Sequence, residues 1–219
     1  MIYLSAGLFA EGPSDYGFLL RLIDRLLETI GAALFSGACD VATTIGIDVP
    51  ERTWTGTRAA RIAAAVAAHA GQFELLVIHA DGAGDPRAAR KFQVEPGVSA
   101  LAEVATELPV IAVPCIPVRE IEAWLLTDAG AFRELLGSKS TPVLPADPER
   151  EADPKETLKT LVKAGGARFS GSIYPLFGEH VALTALRKLP AFQSFEAELT
   201  AAVREVARSQ GHPPPSQGR

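Results

Sequence analysis

Residues 2–15 read IYLSAGLFAEGPSD, and this stretch decides the fold because an apolar run stops where a periodic helix starts. The run from Ile2 to Phe9 is typical of a buried strand, and apolar residues then recur at steps of three and four as far as Ile30. This pattern predicts a core-facing helix that ends at Gly31. Open α/β sheets build their sites at junctions of this kind.

The middle of the chain alternates predicted strands and helices. The predicted strands span residues 41–49, 74–80 and 110–116, and the predicted helices between them span residues 57–70 and 98–107. The first of these strands alternates apolar and polar residues, which places it near a sheet edge, and Pro50 ends it. The second is continuously apolar, which favours a central position, whereas Pro114 implies a bulge or an exposed edge in the third. The alternation predicts an α/β fold with a mainly parallel sheet flanked by helices.

The C-terminal part is predicted to be a helical extension of this core. Residues 1–136 form the predicted α/β core, and residues 137–153 form an exposed connection rich in Pro, Ser, Thr and Asp. Residues 154–210 are expected to pack on the core as helices, with apolar stripes over 154–164, 181–189 and 195–209. Residues 211–219 contain three consecutive prolines and predict a disordered tail.

Composition excludes several classes of protein. A chain of 219 residues with 47% hydrophobic content suits one compact domain with a modest extension. No apolar stretch approaches the roughly 20 residues that span a bilayer, and no secretory signal is present, so we expect no membrane association and a cytoplasmic location. Cys39 and Cys115 have neither CxxC spacing nor a nearby histidine pair, which gives little support to a zinc or thioredoxin-like site.

Acidic residues follow three of the predicted strands. They are Glu11 and Asp15, then Asp81 and Asp85 in the sequence Asp-Gly-Ala-Gly-Asp, then Glu120 and Glu122. Neighbouring parallel strands end at one edge of a sheet, so their carboxylates are expected to share one crevice. Hard divalent cations prefer such oxygen ligands, and the pattern therefore predicts a site for Mg²⁺ or Mn²⁺.

Each acidic segment also has a purely structural interpretation. Asp15 suits the positive end of a helix dipole, Asp81-Gly82 is ordinary turn chemistry, and Glu120 and Glu122 suit a helix N-terminus. His79 lies inside the predicted buried strand and is interpreted as a core or near-site histidine rather than a ligand. The three acidic segments taken together favour the metal site.

Basic residues follow the second acidic segment. Arg87, Arg90 and Lys91 either form a solvated face or bind the phosphate of a substrate held beside a metal. The net charge of −5 argues against a protein that wraps nucleic acid by bulk electrostatics, because neutralising many phosphates needs a basic face.

The acidic segments together resemble a known family. Glu11-Gly12-x-x-Asp15, the Asp81 motif and residues 120–126, which read EIEAWLL, are similar to the TOPRIM-like family known as DUF4276, related to the nuclease domains of OLD-type proteins. The resemblance covers most of the chain and implies a TOPRIM-like fold that uses Mg²⁺ or Mn²⁺ to act on phosphodiester bonds.

The resemblance also implies roles for single residues. Glu11 corresponds to the family's glutamate and Asp15 to its helix-entry acid, while Asp81 and Asp85 correspond to an aspartate pair whose second member is displaced by two positions. Glu120 or Glu122 completes the site. Glu11, Asp81 and Glu120 are therefore the expected catalytic residues, and Glu11, Asp15, Asp81, Asp85 and Glu122 the expected metal ligands.

Two functions follow from the resemblance. The first is a nuclease acting on DNA or RNA, which works with an ABC-type or AAA-type ATPase partner in bacterial defence against phage. The second is a non-catalytic adaptor that keeps the fold and uses the acidic crevice or the C-terminal helices to bind such a partner.

Overall fold

The computed structural model describes residues 1–36, 38–48, 55–104, 109–137, 142–167 and 170–212. The strands are β1 (Ile2–Leu4), β2 (Ala6–Phe9), β3 (Cys39–Val41), β4 (Ile45–Gly46), β5 (Leu75–His79) and β6 (Ile111–Cys115). The helices are α1 (Pro13–Phe35), α2 (Arg58–Ala68), α3 (Pro86–Ala89), α4 (Glu95–Leu101), α5 (Glu122–Leu125), α6 (Ala129–Leu136), α7 (Pro154–Ala164), α8 (Ile173–His180), α9 (Leu183–Leu186) and α10 (Pro190–Ser209). A π-helical turn, Arg90–Val94, joins α3 to α4, and a 3₁₀ turn spans Pro148–Arg150.

The main sheet has four parallel strands in the order β4-β2-β5-β6, and β1 and β3 form a separate parallel pair. Val77 of β5 is in register with Leu8 of β2 on one side and with Val113 of β6 on the other. The predicted α/β class, the mainly parallel sheet and the central position of β5 are confirmed.

Helices cover both faces of the sheet. Leu8, Val77 and Val113 belong to a core that also includes buried residues of α1, α5, α7, α8 and α10. Phe9 and Ile78 alternate with them and belong to a second core with residues of α2 and of the segment from α3 to α4. Strands buried on both faces explain the continuous apolar run of β5.

Two predicted strands are each divided in the structure. The run 2–9 breaks at Ser5 because Ile2–Leu4 pairs with β3, whereas Ala6–Phe9 pairs with β4 and β5. The predicted strand 41–49 becomes β3 and β4, and between them the Thr44 amide donates to Asp24 Oδ1 at 2.7 Å. β4 lies at an edge of the main sheet, as predicted, while Val49 and Pro50 lie outside the described residues.

Helix α1 continues to Phe35, so the predicted end at Gly31 is wrong. A Cβ added at Gly31 would lie 2.8 Å from Cys39 Sγ, within the distance that real side chains avoid. This glycine therefore allows β3 to pack closely against the helix and does not terminate it.

The segment after β5 is helical earlier than predicted. Helical structure runs from Pro86 through the π turn to Leu101, so the predicted start at Val98 is wrong. Residues 105–107 of that predicted helix lie outside the described part of the chain.

The C-terminal half contains helices that the sequence analysis did not predict, α6 and α8. The connection 137–153 is not wholly exposed, because Glu149 is buried and accepts a hydrogen bond from the Ala191 amide at 3.1 Å. Residues 213–219 of the predicted tail are outside the described ranges. No helix in those ranges is both long and apolar enough to cross a membrane.

Candidate functional site

Three adjacent strands deliver acids to one edge of the sheet. Glu11 lies two residues after β2, and Asp81 lies two residues after β5. Glu120 and Glu122 follow β6, and Asp15 comes from the first turn of α1. The structure brings these five acids close enough together that the charges of the other four disfavour the ionised form of Asp81. We call these five residues the acidic cluster.

Asp81 is the most strained charge in the acidic cluster. Burial, and then the charges of Asp15, Glu11, Glu122 and Glu120, raise the pKa of Asp81 to about 7. Its Oδ1 atom is buried and has no hydrogen-bond partner among the described residues. A cation bound near this oxygen would therefore stabilise the folded protein at neutral pH.

Asp15 is held in place by the turn that precedes α1. Its Oδ2 accepts a hydrogen bond from the Gly12 amide at 2.8 Å, which favours the ionised form. Burial outweighs that bond, and with the charges of Glu122 and Glu11 it raises the pKa of Asp15 to about 6. Asp15 is thus both the structural residue and the near-site acid that the sequence left as alternatives.

His79 lies beneath the acidic cluster at the end of β5. Its side chain is fully buried, with Nδ1 3.8 Å from Asp15 Oδ2 and Nε2 3.6 Å from Asp81 Oδ1. Burial and the charge of Arg58 lower the pKa of His79 to about 3, so the imidazole is neutral at pH 7 and forms no ion pair with either acid. Within the described chain, neither ring nitrogen has a hydrogen-bond partner.

Arg58, the first residue of α2, forms an ion pair with the acidic cluster. The sequence analysis did not identify it as a site residue. Its Nη1 lies 3.0 Å from Glu11 Oε1, and its other nitrogens donate to the carbonyl oxygens of His79 and Gln93. The guanidinium lies 5.3 Å from the centre of the Phe9 ring. These contacts join residues far apart in sequence, so spacing alone carries no signal for them.

Glu122 is fixed by residues of the C-terminal helices. The carboxylate is buried and its Oε1 accepts a hydrogen bond from the Tyr174 hydroxyl at 2.6 Å, with Lys155 Nζ 3.6 Å away. Tyr174 was not identified from the sequence. Glu122 therefore links the acidic cluster to α7 and α8.

Glu120 faces an open cavity beside Asp81. Its Oε1 accepts a hydrogen bond from the Lys155 amide at 2.8 Å, and burial together with the charge of Glu122 raises its pKa. Asp81, Glu120 and Asp153 line this cavity, which has a volume of about 350 Å³. We call it the acidic cavity.

Asp85 does not join the acidic cluster. Its Oδ1 accepts a hydrogen bond from the Ala88 amide at 3.0 Å, so its exposed carboxylate caps α3. Ala83 and Gly84 take positive φ values of 48° and 93°, and this turn directs the chain from Asp81 into α3. The displaced second aspartate has a structural use as a helix cap.

The predicted phosphate-binding residues lie apart from the acids. Arg90 pairs with Glu198 of α10, and Lys91 Nζ lies 5.2 Å from the centre of the Phe92 ring. Arg87 is exposed and makes no ion pair with a carboxylate of the described chain. Arg87 and Arg90 line a different cavity, behind the loop that carries Asp81.

The acidic cluster fits a divalent cation in its charge but not as a finished ligand set. Burial raises the pKa values of Asp15, Asp81 and Glu120, and the charges of neighbouring acids add to each shift, so a bound cation would favour their ionised forms. Across the described ranges, no three His, Cys, Asp or Glu side chains are grouped closely enough to hold an ion by themselves. Mg²⁺ commonly takes only one or two carboxylates, with waters and substrate phosphates as its other ligands.

No family model, curated protein or solved structure matches this chain. The likeness to the TOPRIM-like family therefore rests on the quoted residues alone.

The pH dependence of stability tests the strain in the acidic cluster. We expect Asp81→Asn to stabilise the metal-free protein increasingly as the pH rises from about 4 to about 7, because native Asp81 keeps a proton that the unfolded chain releases. The side chain is 39% exposed, so solvent screening limits the gain to about 1 kcal/mol above pH 7. Urea unfolding of both proteins across this pH range measures the difference.

Comparison of the two proteins isolates Asp81 from opposing groups. Asp15, whose pKa is also raised, contributes stability that is lost as the pH rises, whereas neutral His79 contributes stability that is lost as the pH falls below its unfolded value. Both groups remain in the variant. A constant difference between the two proteins at every pH would show that Asp81 is not strained.

Gly82 is needed for the close approach of two loops. A Cβ at this position would overlap the carbonyl oxygens of Pro117 and Val118, which belong to backbone and cannot rotate away. We expect Gly82→Ala to destabilise the protein by about 1–3 kcal/mol, as overpacking does, and to displace Asp81. Gly171→Ala is the matched control, because a Cβ there meets nothing within 4 Å. Equal melting temperatures for the two variants would contradict this packing.

Proposed function

We propose that the protein is a Mg²⁺- or Mn²⁺-dependent enzyme that cleaves phosphodiester bonds, with its active site at the acidic cluster. The observation that supports this most strongly concerns Asp81: its Oδ1 has no hydrogen-bond partner in the described part of the chain, and burial and four neighbouring acids raise the pKa of its carboxyl to about 7. Such a site gains stability from a cation, and a cation bound beside an open cavity suits an anionic substrate.

Asp81 and Glu120 would hold the ion, because they follow β5 and β6 and line the same cavity. Asp15, in the first turn of α1, adds negative charge that acts on Asp81. A bound Mg²⁺ or Mn²⁺ polarises a phosphoryl oxygen and makes water a nucleophile at neutral pH. Substrate phosphate and water would supply its remaining ligands.

Glu11 has the position of a proton acceptor in this proposal. Arg58 pairs with Oε1, which orients the carboxylate, and Oε2 would accept a proton from water. The side chain is 37% exposed, so water reaches it. Arg58 is a positioning residue, since it also binds the carbonyl oxygens of His79 and Gln93.

His79 and Glu122 position the other acids of the cluster. Neutral His79 separates Asp15 from Asp81 without adding charge. Glu122 is held by Tyr174 and Lys155, so its role is to fix the segment that carries Glu120. We assign it this positioning role rather than direct ligation.

An ATPase partner belongs to the same proposal. The resemblance to TOPRIM-like proteins of the OLD type supports an ABC-type or AAA-type ATPase partner, a DNA or RNA substrate and a role in phage defence. Metal binding by this chain requires no partner protein, so it is a more direct property to measure than cleavage.

One observation favours the adaptor as a second function. Glu11 is already paired with Arg58, and Glu122 with Tyr174 and Lys155, so two of the five acids are neutralised by the chain itself. An adaptor would bind its ATPase equally well after Glu11→Gln and Asp81→Asn and would have no affinity for Mn²⁺.

Cleavage assays test the proposed function. Circular single-stranded DNA, plasmid DNA and a structured RNA are each incubated with the protein in Mn²⁺, in Mg²⁺ and in EDTA. We expect cleavage of at least one substrate in Mn²⁺ and none in EDTA. Cleavage that is undiminished in EDTA would overturn the assignment to metal-dependent chemistry.

A further inference from the structure

A second, larger cavity lies behind the loop that carries Asp81. Its volume is about 590 Å³, which is within the range of small-molecule sites. Pro114, Ile116 and Val118, from β6 and the segment after it, form one wall, and Pro190 and Phe195 of α10 form part of the other. These side chains make the floor of the cavity apolar.

Charged residues also line this cavity, which we call the apolar cavity. Arg90 and Glu198 pair with each other there, which presents hydrogen-bond donors and an acceptor beside the apolar walls. Arg87 lines the same cavity and has no carboxylate partner within the described residues. An occupant with a flat apolar body, polar edges and a negative charge complements this lining.

The apolar cavity and the acidic cavity are direct neighbours. Val118 lines the first and Arg119, the next residue, lines the second. Two hydrogen bonds fasten the partition between them: Gly84 N–H donates to Val118 O at 2.8 Å, and Ala83 N–H donates to Arg119 O at 3.1 Å. Because consecutive residues line the two cavities, one chain-like ligand is able to reach both of them.

We propose that the apolar cavity takes an unpaired nucleobase of a single-stranded nucleic acid whose phosphodiester lies at the acidic cluster. The proposal rests on the proposed function and adds the substrate class. A nucleobase is a flat ring with polar edges, which the apolar walls and the Arg90–Glu198 pair complement. Arg87, in the same lining, complements another phosphate of the strand, on the side of the base away from the acidic cluster. A base within a duplex stays stacked and paired, so it cannot enter such a cavity without being flipped out.

The overall charge agrees with a single-stranded substrate. A net charge of −5 disfavours a protein that holds a duplex by its phosphates alone. Base–aromatic and apolar contacts supply affinity that is independent of that charge. Pro190, which is exposed, and Pro114 and Val118, which are half-buried, line the cavity and are placed for such apolar contacts.

Fluorescence anisotropy with a labelled oligonucleotide tests the proposal. The probes are a ten-nucleotide single-stranded DNA, the matching RNA and the DNA duplex, with Ca²⁺ in place of Mn²⁺ to limit cleavage. We expect at least one single strand to bind about tenfold more tightly than the duplex, and a nucleoside monophosphate to compete far more weakly than the strand. Equal binding of the duplex, or equal competition by the monophosphate, would overturn the proposal.

Two variants separate the cavity from the rest of the surface. Ser194→Trp fills the cavity from an exposed position of α10, and Arg87→Glu reverses a charge in the cavity lining; each is expected to weaken binding of the strand about tenfold. The matched controls are Ala197→Trp and Arg208→Glu, exposed positions of α10 that do not line the cavity. Cavity variants that bind like their controls would overturn the proposal.

Mn²⁺ calorimetry on the same proteins distinguishes the two proposals. If Ser194→Trp and its control bind the strand equally while both bind Mn²⁺, only the nucleobase cavity is wrong. If the unmodified protein binds no Mn²⁺ either with or without the strand, the proposed enzymatic function is wrong, whatever the cavity variants do.

Discussion

Asp81→Asn and Glu11→Gln are each expected to reduce Mn²⁺-dependent cleavage by about a hundredfold or more while the protein stays folded. Even the outer partners of metal ligands usually cost ten to a hundredfold when removed, and Asp81 is proposed as a direct ligand. Asn also relieves the charge that burial and four acids oppose at this position, so the loss is not a loss of stability. Initial cleavage rates at saturating Mn²⁺ measure the effect.

Asp85→Asn is the matched control for this loss. Asp85 lies on the same loop, but its carboxylate caps α3 through the Ala88 amide, and asparagine caps helices equally well. We therefore expect cleavage within about twofold of the unmodified protein, since surface changes away from a site are usually small in effect. Retained cleavage in both Asp81→Asn and Glu11→Gln would contradict the proposed active site.

Trp124→Ala is expected to lower the free energy of unfolding by about 3–5 kcal/mol, the usual cost of removing a buried aromatic side chain. Trp124 of α5 is fully buried, with its ring 5.3 Å from that of Phe192 and 6.1 Å from that of Phe195. It therefore joins the segment carrying Glu120 to α10. Urea unfolding followed by circular dichroism measures the change.

Trp124→Phe separates the loss of the ring from the loss of a hydrogen bond. Among the described residues the indole Nε1 has no hydrogen-bond partner, so phenylalanine sacrifices only volume. We expect it to cost less than about 1.5 kcal/mol, as conservative core changes do. An unfolding free energy of Trp124→Ala within about 1 kcal/mol of the unmodified protein would contradict the central packing of this side chain.

The sequence predicted those site residues whose position follows from the parallel direction of neighbouring strands. Glu11 and Asp81 were identifiable because each directly follows an apolar strand, and parallel strands end at one edge of the sheet. Asp85 was less predictable because two uses compete for an acid that precedes a helix. Capping α3 is local and needs only the next turn, whereas reaching the acidic cluster needs a particular loop path.

The residues that support the acids were hidden because their contacts are distant in sequence. Arg58 meets Glu11 although α1, β3 and β4 lie between them in the sequence, and Tyr174 meets Glu122 across 52 positions. His79 was recognisable as buried, but the positions of its ring nitrogens between Asp15 and Asp81 depend on how three separate segments fold together. Periodicity does not encode such meetings.

Helix α8 was missed because its stability comes from packing. Its sequence, IYPLFGEH, contains Pro175 and Gly178, both poor helix formers. Gly178 packs against the backbone of α1 so closely that no Cβ fits, and Arg25 donates to its carbonyl oxygen at 2.7 Å. Tertiary contact therefore outweighs the local preference of this segment.

Calorimetric titration of Mn²⁺ above pH 7, where Asp81 is ionised, tests the proposed metal site most directly. The unmodified protein is compared with a folded Glu11→Ala, Asp81→Ala double variant, with and without single-stranded DNA in the cell. We expect saturable Mn²⁺ binding in the unmodified protein and its loss in the double variant. Absence of binding in the unmodified protein under both conditions, or undiminished binding in the double variant, would contradict a metal site at the acidic cluster.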